Sequence, residues 1–534
     1  MGSAMKTSPA PSARSLGIRF FAIAFVLFLA PMAIWSLASP LMSVPDEPSH
    51  VIRAASVVRG DIAGHPRPEI TWQIEATVPN YIAHAHELTC FAFDPTKSAG
   101  CQGPVVGNPD SLVVTGTTAG SNSPVYYAII GLPTLIFSGS QALYAMRLTN
   151  AIVCAFLAAG LITSLMQLPR ARWTILSTSV AVTPMVLFLG GSANPNGIEV
   201  FAAATLFSTL VATLSTHSPA RVMWGRGTLI VASVLLLTGT RSIALLWVLL
   251  AFCSALFFAR RSVAAELLRT PVAWVTLTVS ALVCAGELIW FTRPSVGTPS
   301  PVFEGAGTPF RKAFAQMLDQ TLDFGQGWIG LFGWVDRPAP MLTFAIWITA
   351  MGALLLVTLA LSRGPALYAV LFLTAAIVAV PAISQAAIAA EVGFIWQGRY
   401  TLALVVCLVL ACGVALDRAV PFPLTRVSRN LTVTALITIA VGHVVCFIWV
   451  LRRYVVGTGS SWPSMINAPQ WQPPGGWVPL TVAFSLAVGI AMWAIWRALS
   501  IREIDEPTRV DRRADESTSD TDTANARVAT QARA

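Results

Sequence analysis

Apolar runs close to the length of a membrane crossing recur along this chain from Ile18 to Arg497, and short arginine-bearing loops separate many of them. A helix needs about 20 apolar residues to cross a hydrocarbon core of ~30 Å. A chain with so many such runs has little choice but an all-α polytopic membrane bundle. Composition agrees: 55% of residues are hydrophobic and 11% charged, with mean hydropathy +0.67, whereas soluble domains carry about 25% charged residues. The net charge of +9 sits mostly in interhelical loops, where it sets orientation rather than attracting nucleic acid.

Lys6, Arg14 and Arg19 flank the first run, residues 18–40, and put the N-terminal segment 1–17 in the cytoplasm. No Ala-x-Ala site follows, so the run reads as an uncleaved span. Residues 124–138 form an apolar stretch of about 15 residues, short of a crossing. They read as a juxtamembrane or re-entrant helix, because a crossing there would put the basic flank at Arg170 and Arg172 outside. The later spans are expected at 142–168, 173–190, 198–216, 228–240, 243–259, 272–291, 341–361, 366–388, 400–416, 431–451 and 477–497. That gives about twelve spans in a transmembrane domain of residues 18–500, a multi-pass cell-membrane protein with both termini cytoplasmic. External loops fall at 41–141, 292–340 and 452–476. Arg452 and Arg453 land outside, against the charge rule. Residues 501–534 are polar and nearly free of aromatics, a disordered cytoplasmic tail. No phosphate-binding Gly-rich loop is present to support a nucleotide-driven mechanism.

Six of the eight cysteines fall in expected spans, while Cys90 and Cys101 share the first external loop. An oxidising exterior favours a disulfide between them. A cysteine metal site is the weaker alternative, since no CxxC pair occurs. His84 and His86, with His50 and His65, make a zinc site conceivable in that loop, against the simpler reading of ordinary loop histidines.

Polar residues cluster on one side of the bundle. Asp46 and Glu47 follow the first span, with His50, Arg53 and Arg59 after them. Taken alone, this is a helix start with carboxylates at the favourable end of the dipole. Ser123, Pro124, Val125, Tyr126 and Tyr127 open the juxtamembrane segment; Arg147 lies in the outer end of the next span, where an unpaired charge is costly. Asn194, Asn196 and Glu199 form an external turn, Arg241 another, and Gln397, Arg399 and Tyr400 a third, with Gly398 leaving room for close approach. Convergence on one external cavity accounts for all of them lying on one face. The carboxylates suit proton removal from a hydroxyl, or a divalent cation as the one cofactor in view. The guanidiniums suit a lipid-linked phosphate. Glu287, within a span, is the one acidic residue that would serve a proton-coupled transporter.

Pro45-Asp46-Glu47-Pro48-Ser49-His50, Ser123 to Tyr127, Arg147, Asn194 to Glu199 and Gln397-Gly398-Arg399-Tyr400 together resemble a bacterial membrane family catalogued as domain of unknown function 2142. That family looks related to the GT-C superfamily of polyprenyl-phosphate-sugar-dependent glycosyltransferases. The resemblance implies a GT-C-like bundle whose large first external loop carries juxtamembrane helices. It also implies sugar transfer from a polyprenyl-phosphate donor to a cell-envelope glycan, lipid or protein acceptor on the outer face. Asp46 matches the superfamily's loop aspartate that activates the acceptor, with Glu47 assisting or holding metal. His50, Arg53, Tyr126, Tyr127, Arg147, Asn194, Asn196, Glu199, Arg241, Gln397, Arg399 and Tyr400 are the expected substrate contacts. Ser123 stands where many of these enzymes have a first proline. A transporter or flippase for a lipid-linked or small substrate is the competing reading; it predicts internal repeats and discontinuous helices near the midplane, and the sequence shows no convincing repeat. A scaffold would have no use for carboxylates and guanidiniums gathered at one rim.

Overall fold

The computed structural model describes residues 13–67, 70, 72–293, 302–422 and 425–500. Most of the expected N-terminal segment and all of the tail 501–534 lie outside them. From α1 (Ala13–Ala38) the chain enters a polar layer. This holds α2 (Glu47–Val57), the one-turn α3 (Asn80–Ala83), α4 (Pro124–Gly131), and strands β1 (Ile74–Pro79) and β2 (Leu112–Thr117), paired antiparallel with Ile74 opposite Thr117. The bundle continues through α5 (Gly139–Met166), α6 (Arg172–Ala181), α7 (Pro184–Gly190), α8 (Pro195–Ser215), α9 (Ala220–Thr238), α10 (Ala244–Leu256), the short α11 (Arg261–Leu267) and α12 (Pro271–Phe291). A second polar segment carries α13 (Phe310–Asp319), α14 (Gly325–Ile329) and the two-residue pair β3 (Leu331–Phe332) and β4 (Arg337–Pro338). The chain ends with α15 (Met341–Leu361), α16 (Pro365–Val392), α17 (Leu402–Ala419), α18 (Arg426–Val456), the one-turn α19 (Ser464–Asn467) and α20 (Trp477–Ser500).

Among the described residues ten helices are long and apolar enough to cross a membrane, or eleven if one bent pair counts as a span. The expectation of about twelve regular spans is corrected at two places. Residues 173–190 are broken: α6 and α7 meet at 70°. Pro184 lacks an N–H and disfavours helix at the residue before it, so the chain stops and restarts there, with Thr183 capping Val186. The pair still runs end to end. Asp417 accepts from the N–H groups of Trp173 and Thr174 at one end, and Ala193 N–H reaches Glu47 at the other. The second place is α10, only 13 residues long. Its flanking turns supply the missing length: Arg241 pairs with Glu199 in the first turn of α8, and Arg260 N–H donates to Leu214 O in its last.

The crossing helices therefore have a loop-rich end, under the polar layer, and a short-loop end. α18, at 31 residues, is roughly 46 Å long and reaches into the polar layer. Its Arg453, buried, donates to Phe91 O and Lys97 O and pairs with Asp336 at 2.6 Å. Arg452 donates to Thr458 O and lies over the Trp462 ring. These two arginines fasten loops of the polar layer, which accounts for their place at the end where the sequence reading did not expect them. Cys90 and Cys101 are disulfide-bonded within the same layer, Cα atoms 6.1 Å apart. Trp35 of α1 packs against Phe188, Phe332, Phe447 and Phe484 and so joins α7, β3, α18 and α20 in one core.

Candidate functional site at the loop-rich rim

Asp46 turns the chain from α1 into α2 with φ 65°, and its side chain makes no capping hydrogen bond. The left-handed backbone costs about 1–2 kcal/mol for a residue with a Cβ, less for aspartate. It leaves the carboxylate half-exposed (49%) rather than folded onto the helix, so the capping reading does not hold for Asp46. Asn194, the N-cap of α8, donates to Pro45 O and holds this turn against the α7–α8 junction.

Glu47 is placed quite differently. It is 1% exposed, and Arg147 takes both its oxygens at 2.6 Å. Arg147 also donates to the carbonyls of Ser36, Ser39 and Pro40, at the C-terminal end of α1 and in the turn beyond. The pair is a buried, saturated pin beneath Asp46, so neither residue faces a substrate, contrary to the expectation for both. Arg53 is turned onto backbone, donating to Asp61 O, Ile62 O and Asn122 O, with its buried Nε unpaired.

Eight expected residues do meet in one network: Asp46, His50, Tyr127, Asn196, Glu199, Arg241, Arg399 and Tyr400. Arg399, 4% exposed, donates to Asp46 at 3.0 Å. Its Nε is buried without a partner, as are Asn196 Nδ2, Gln397 Oε1 and Tyr126 Oη. Native buried polar atoms are nearly always paired, so these orphans around the Asp46 rim need a polar ligand or water. Arg241 is held bidentate by Glu199 and by Asn196 Oδ1, and it lies 4.7 Å over the Tyr400 ring, which Arg399 flanks from 5.5 Å. Burial pushes the His50 imidazole down to about 3 despite Asp46 nearby, so it is neutral at physiological pH. Tyr127, whose hydroxyl lies 2.9 Å from His50 Nδ1, accepts from Asn122 Nδ2. Donation of its O–H to Nδ1 satisfies the trio and leaves the His50 proton on Nε2.

The 393–399 segment reaches the rim through contacts that sequence reading missed. Gln385 of α16 receives the N–H groups of Ile395 and Trp396 and donates to Gly393 O. Gly398 makes room for another backbone, not a ligand: a Cβ there would stand 2.0 Å from Phe324 O. Asn122 was also missed; its only signal was adjacency to Ser123 and the tyrosines. Ser123 itself caps α4 and donates to Glu287 at 2.9 Å. Glu287 thus sits near the loop-rich end of α12, away from any midplane position that transport would use.

Among the described residues no three His, Cys, Asp or Glu side chains gather as a metal site. Glu47 and Glu199 are both clamped by arginines, which leaves Asp46 as the rim's one carboxylate with an accessible oxygen. One carboxylate holds a hard cation only together with substrate phosphate oxygens.

Fold and site define a polytopic helical membrane protein with a polar, arginine-rich cluster at one rim. The chain belongs to the family described as "Predicted membrane protein (DUF2142)", whose model matches residues 28–408. No curated protein matches it significantly. Among solved structures it is similar to ArnT from Cupriavidus metallidurans in the apo state, at 12% identity and TM-score 0.45, covering 91% of this chain and 77% of that one. The same protein bound to undecaprenyl phosphate matches at 14% identity and TM-score 0.41, covering 93% and 79%.

Proposed function

We propose that the chain is a membrane glycosyltransferase of GT-C type, moving a sugar from a polyprenyl-phosphate donor to a cell-envelope acceptor at the outer face. The observation that carries this reading is Asp46, a half-exposed carboxylate that makes no capping bond to the helix it precedes, held beside a buried arginine whose Nε has no partner. In the proposed step the acceptor hydroxyl attacks the anomeric carbon and gives its proton to Asp46. The bond from that carbon to the phosphate oxygen breaks, and polyprenyl phosphate leaves with the electron pair. Arg399 meets the charge that grows on the phosphate; Arg241, already neutralised by Glu199, orients Tyr400 and the rim. A divalent cation, if used, would be held by Asp46 and would supply positive charge to the leaving phosphate; chelation of the purified protein tests for it.

The sidedness belongs to the same reading. Arg170, Arg172, Arg221, Arg226, Arg260, Arg261, Arg363 and Arg418 lie in or beside loops of the short-loop end, which makes that end cytoplasmic together with both termini. The residues before 18 and after 500 form the cytoplasmic segments in this proposal.

The test is incubation of purified protein with a panel of polyprenyl-phosphate sugars and measurement of released polyprenyl phosphate. Release by the parent that falls at least ~10²-fold in Asp46→Asn supports the reading. Release that Asp46→Asn leaves unchanged, or none from any donor, overturns it.

A further inference from the structure

At the opposite end of the bundle lies a second polar cavity, about 410 Å³ in volume, which the proposed reaction does not use. Four parts of the chain wall it: Leu168, Pro169 and Arg170 after α5, Ser215 at the end of α8, Arg260 after α10, and Val414, Asp417 and Arg418 of α17. Each wall is the end of a crossing segment, so the cavity lies at headgroup level.

Its lining is net positive, three arginines against the one carboxylate of Asp417. Asp417, the single lining carboxylate, accepts from Trp173 N–H, Thr174 N–H and Thr174 O–H and is committed to the start of α6. Arg418 donates to Phe258 O at 2.5 Å, with its guanidinium 4.9 Å from the Phe258 ring. Arg226, close by, donates to Ala212 O. These two answer the negative C-terminal ends of the helices. Arg170 and Arg260 do not: neither guanidinium takes part in an ion pair or hydrogen bond of the described residues. Arg260 instead lies near enough to Arg418 for the two to repel. All three arginines are exposed at the cavity mouth, and their like charges favour an anion held between them.

We propose that this cavity binds a phosphate group through Arg170, Arg260 and Arg418, with the Ser215 hydroxyl at its side. Planar guanidiniums at the membrane surface match phosphate oxygens, and basic pockets between helix ends take anionic lipid headgroups. The volume admits a headgroup phosphate with its glycerol. A membrane phospholipid and free phosphate share that chemistry.

The experiment uses full-length protein in detergent, titrated with phosphatidylglycerol, phosphatidylcholine or inorganic phosphate and read by thermal unfolding. Phosphatidylglycerol should stabilise the parent, and Arg170→Gln with Arg260→Gln should weaken its apparent affinity at least tenfold. Arg221→Gln with Arg261→Gln removes equal charge from the same end outside the cavity and should leave affinity within about twofold of the parent. Arg170→Lys with Arg260→Lys keeps the charge without the planar fork, gives a second variant should the first fail to fold, and should again bind more weakly. Inorganic phosphate reproducing the effect, with the same loss in the cavity variants, supports the site with a soluble occupant. Equal affinity in parent and both cavity variants, or an equal loss in the control, overturns the proposal.

Discussion

Asp46 and Glu47 are adjacent carboxylates with opposite fates, and the difference follows from one left-handed residue. With φ 65° at Asp46, its side chain points to the rim while Glu47 turns inward onto Arg147. Their amide variants should therefore fail differently. Asp46→Asn keeps an amide oxygen for Arg399 at a half-exposed position, so it should cost less stability than Glu47→Gln and lose turnover. Glu47→Gln leaves Arg147 buried with one oxygen partner missing and should cost about 3–5 kcal/mol of stability, seen in thermal unfolding before any assay. Equal melting of the two variants would contradict the assignment. Arg399 separates two further readings, a phosphate contact and an interfacial anchor. Arg399→Lys keeps the charge but not the fork, so donor binding should weaken by ~1–3 kcal/mol in a titration of folded protein; unchanged affinity leaves only the anchor. The residue types at this rim were legible in sequence, but their duties were not. Nothing in the order Asp-Glu-Pro-Ser-His says which carboxylate a distant arginine will claim, because the claim is made 100 residues away.

At the level of elements, the apolar runs predicted helices well wherever a run was long and unbroken. The two exceptions have local causes. Pro184 interrupts the third run, and Arg241 and Arg260 trim α10 by using its ends for contacts with α8. The short β1–β2 pair and the buttress from Gln385 escaped notice, since neither leaves a periodic trace in sequence. Gly398 supplies the element-scale prediction. The 3-10 turn Gly398–Thr401 touches Phe324 of the second polar segment with no space for a Cβ. Gly398→Ala should displace that turn, carry Arg399 away from Asp46, and reduce turnover at least tenfold. The expected protein is folded but less stable. Parent-like kinetics would show that the two segments can part without harm.

Across the whole molecule, the charge distribution and the tethering of the loops are both consistent with the proposed orientation. Counting arginines alone left Arg452 and Arg453 as exceptions; only three-dimensional contacts with residues 91–97, 336 and 458 explain them. Sidedness is directly measurable. In intact cells a membrane-impermeant maleimide should label a cysteine placed at exposed Asp110 in the polar layer, and should label one at exposed Arg221 only after permeabilisation. The reverse pattern would invert the bundle and move the Asp46 rim to the inner face.

The Asp46–Arg399 contact carries a kinetic consequence. In the proposed reaction Asp46 and Arg399, the base and the anion receptor, are paired with each other until a substrate competes for one of them. A donor phosphate that claims Arg399 frees the carboxylate as it docks. An acceptor arriving first meets a base already engaged. Substrates should therefore add in compulsory order, donor before acceptor, and water reaching an unloaded rim finds no competent catalyst waiting to waste it.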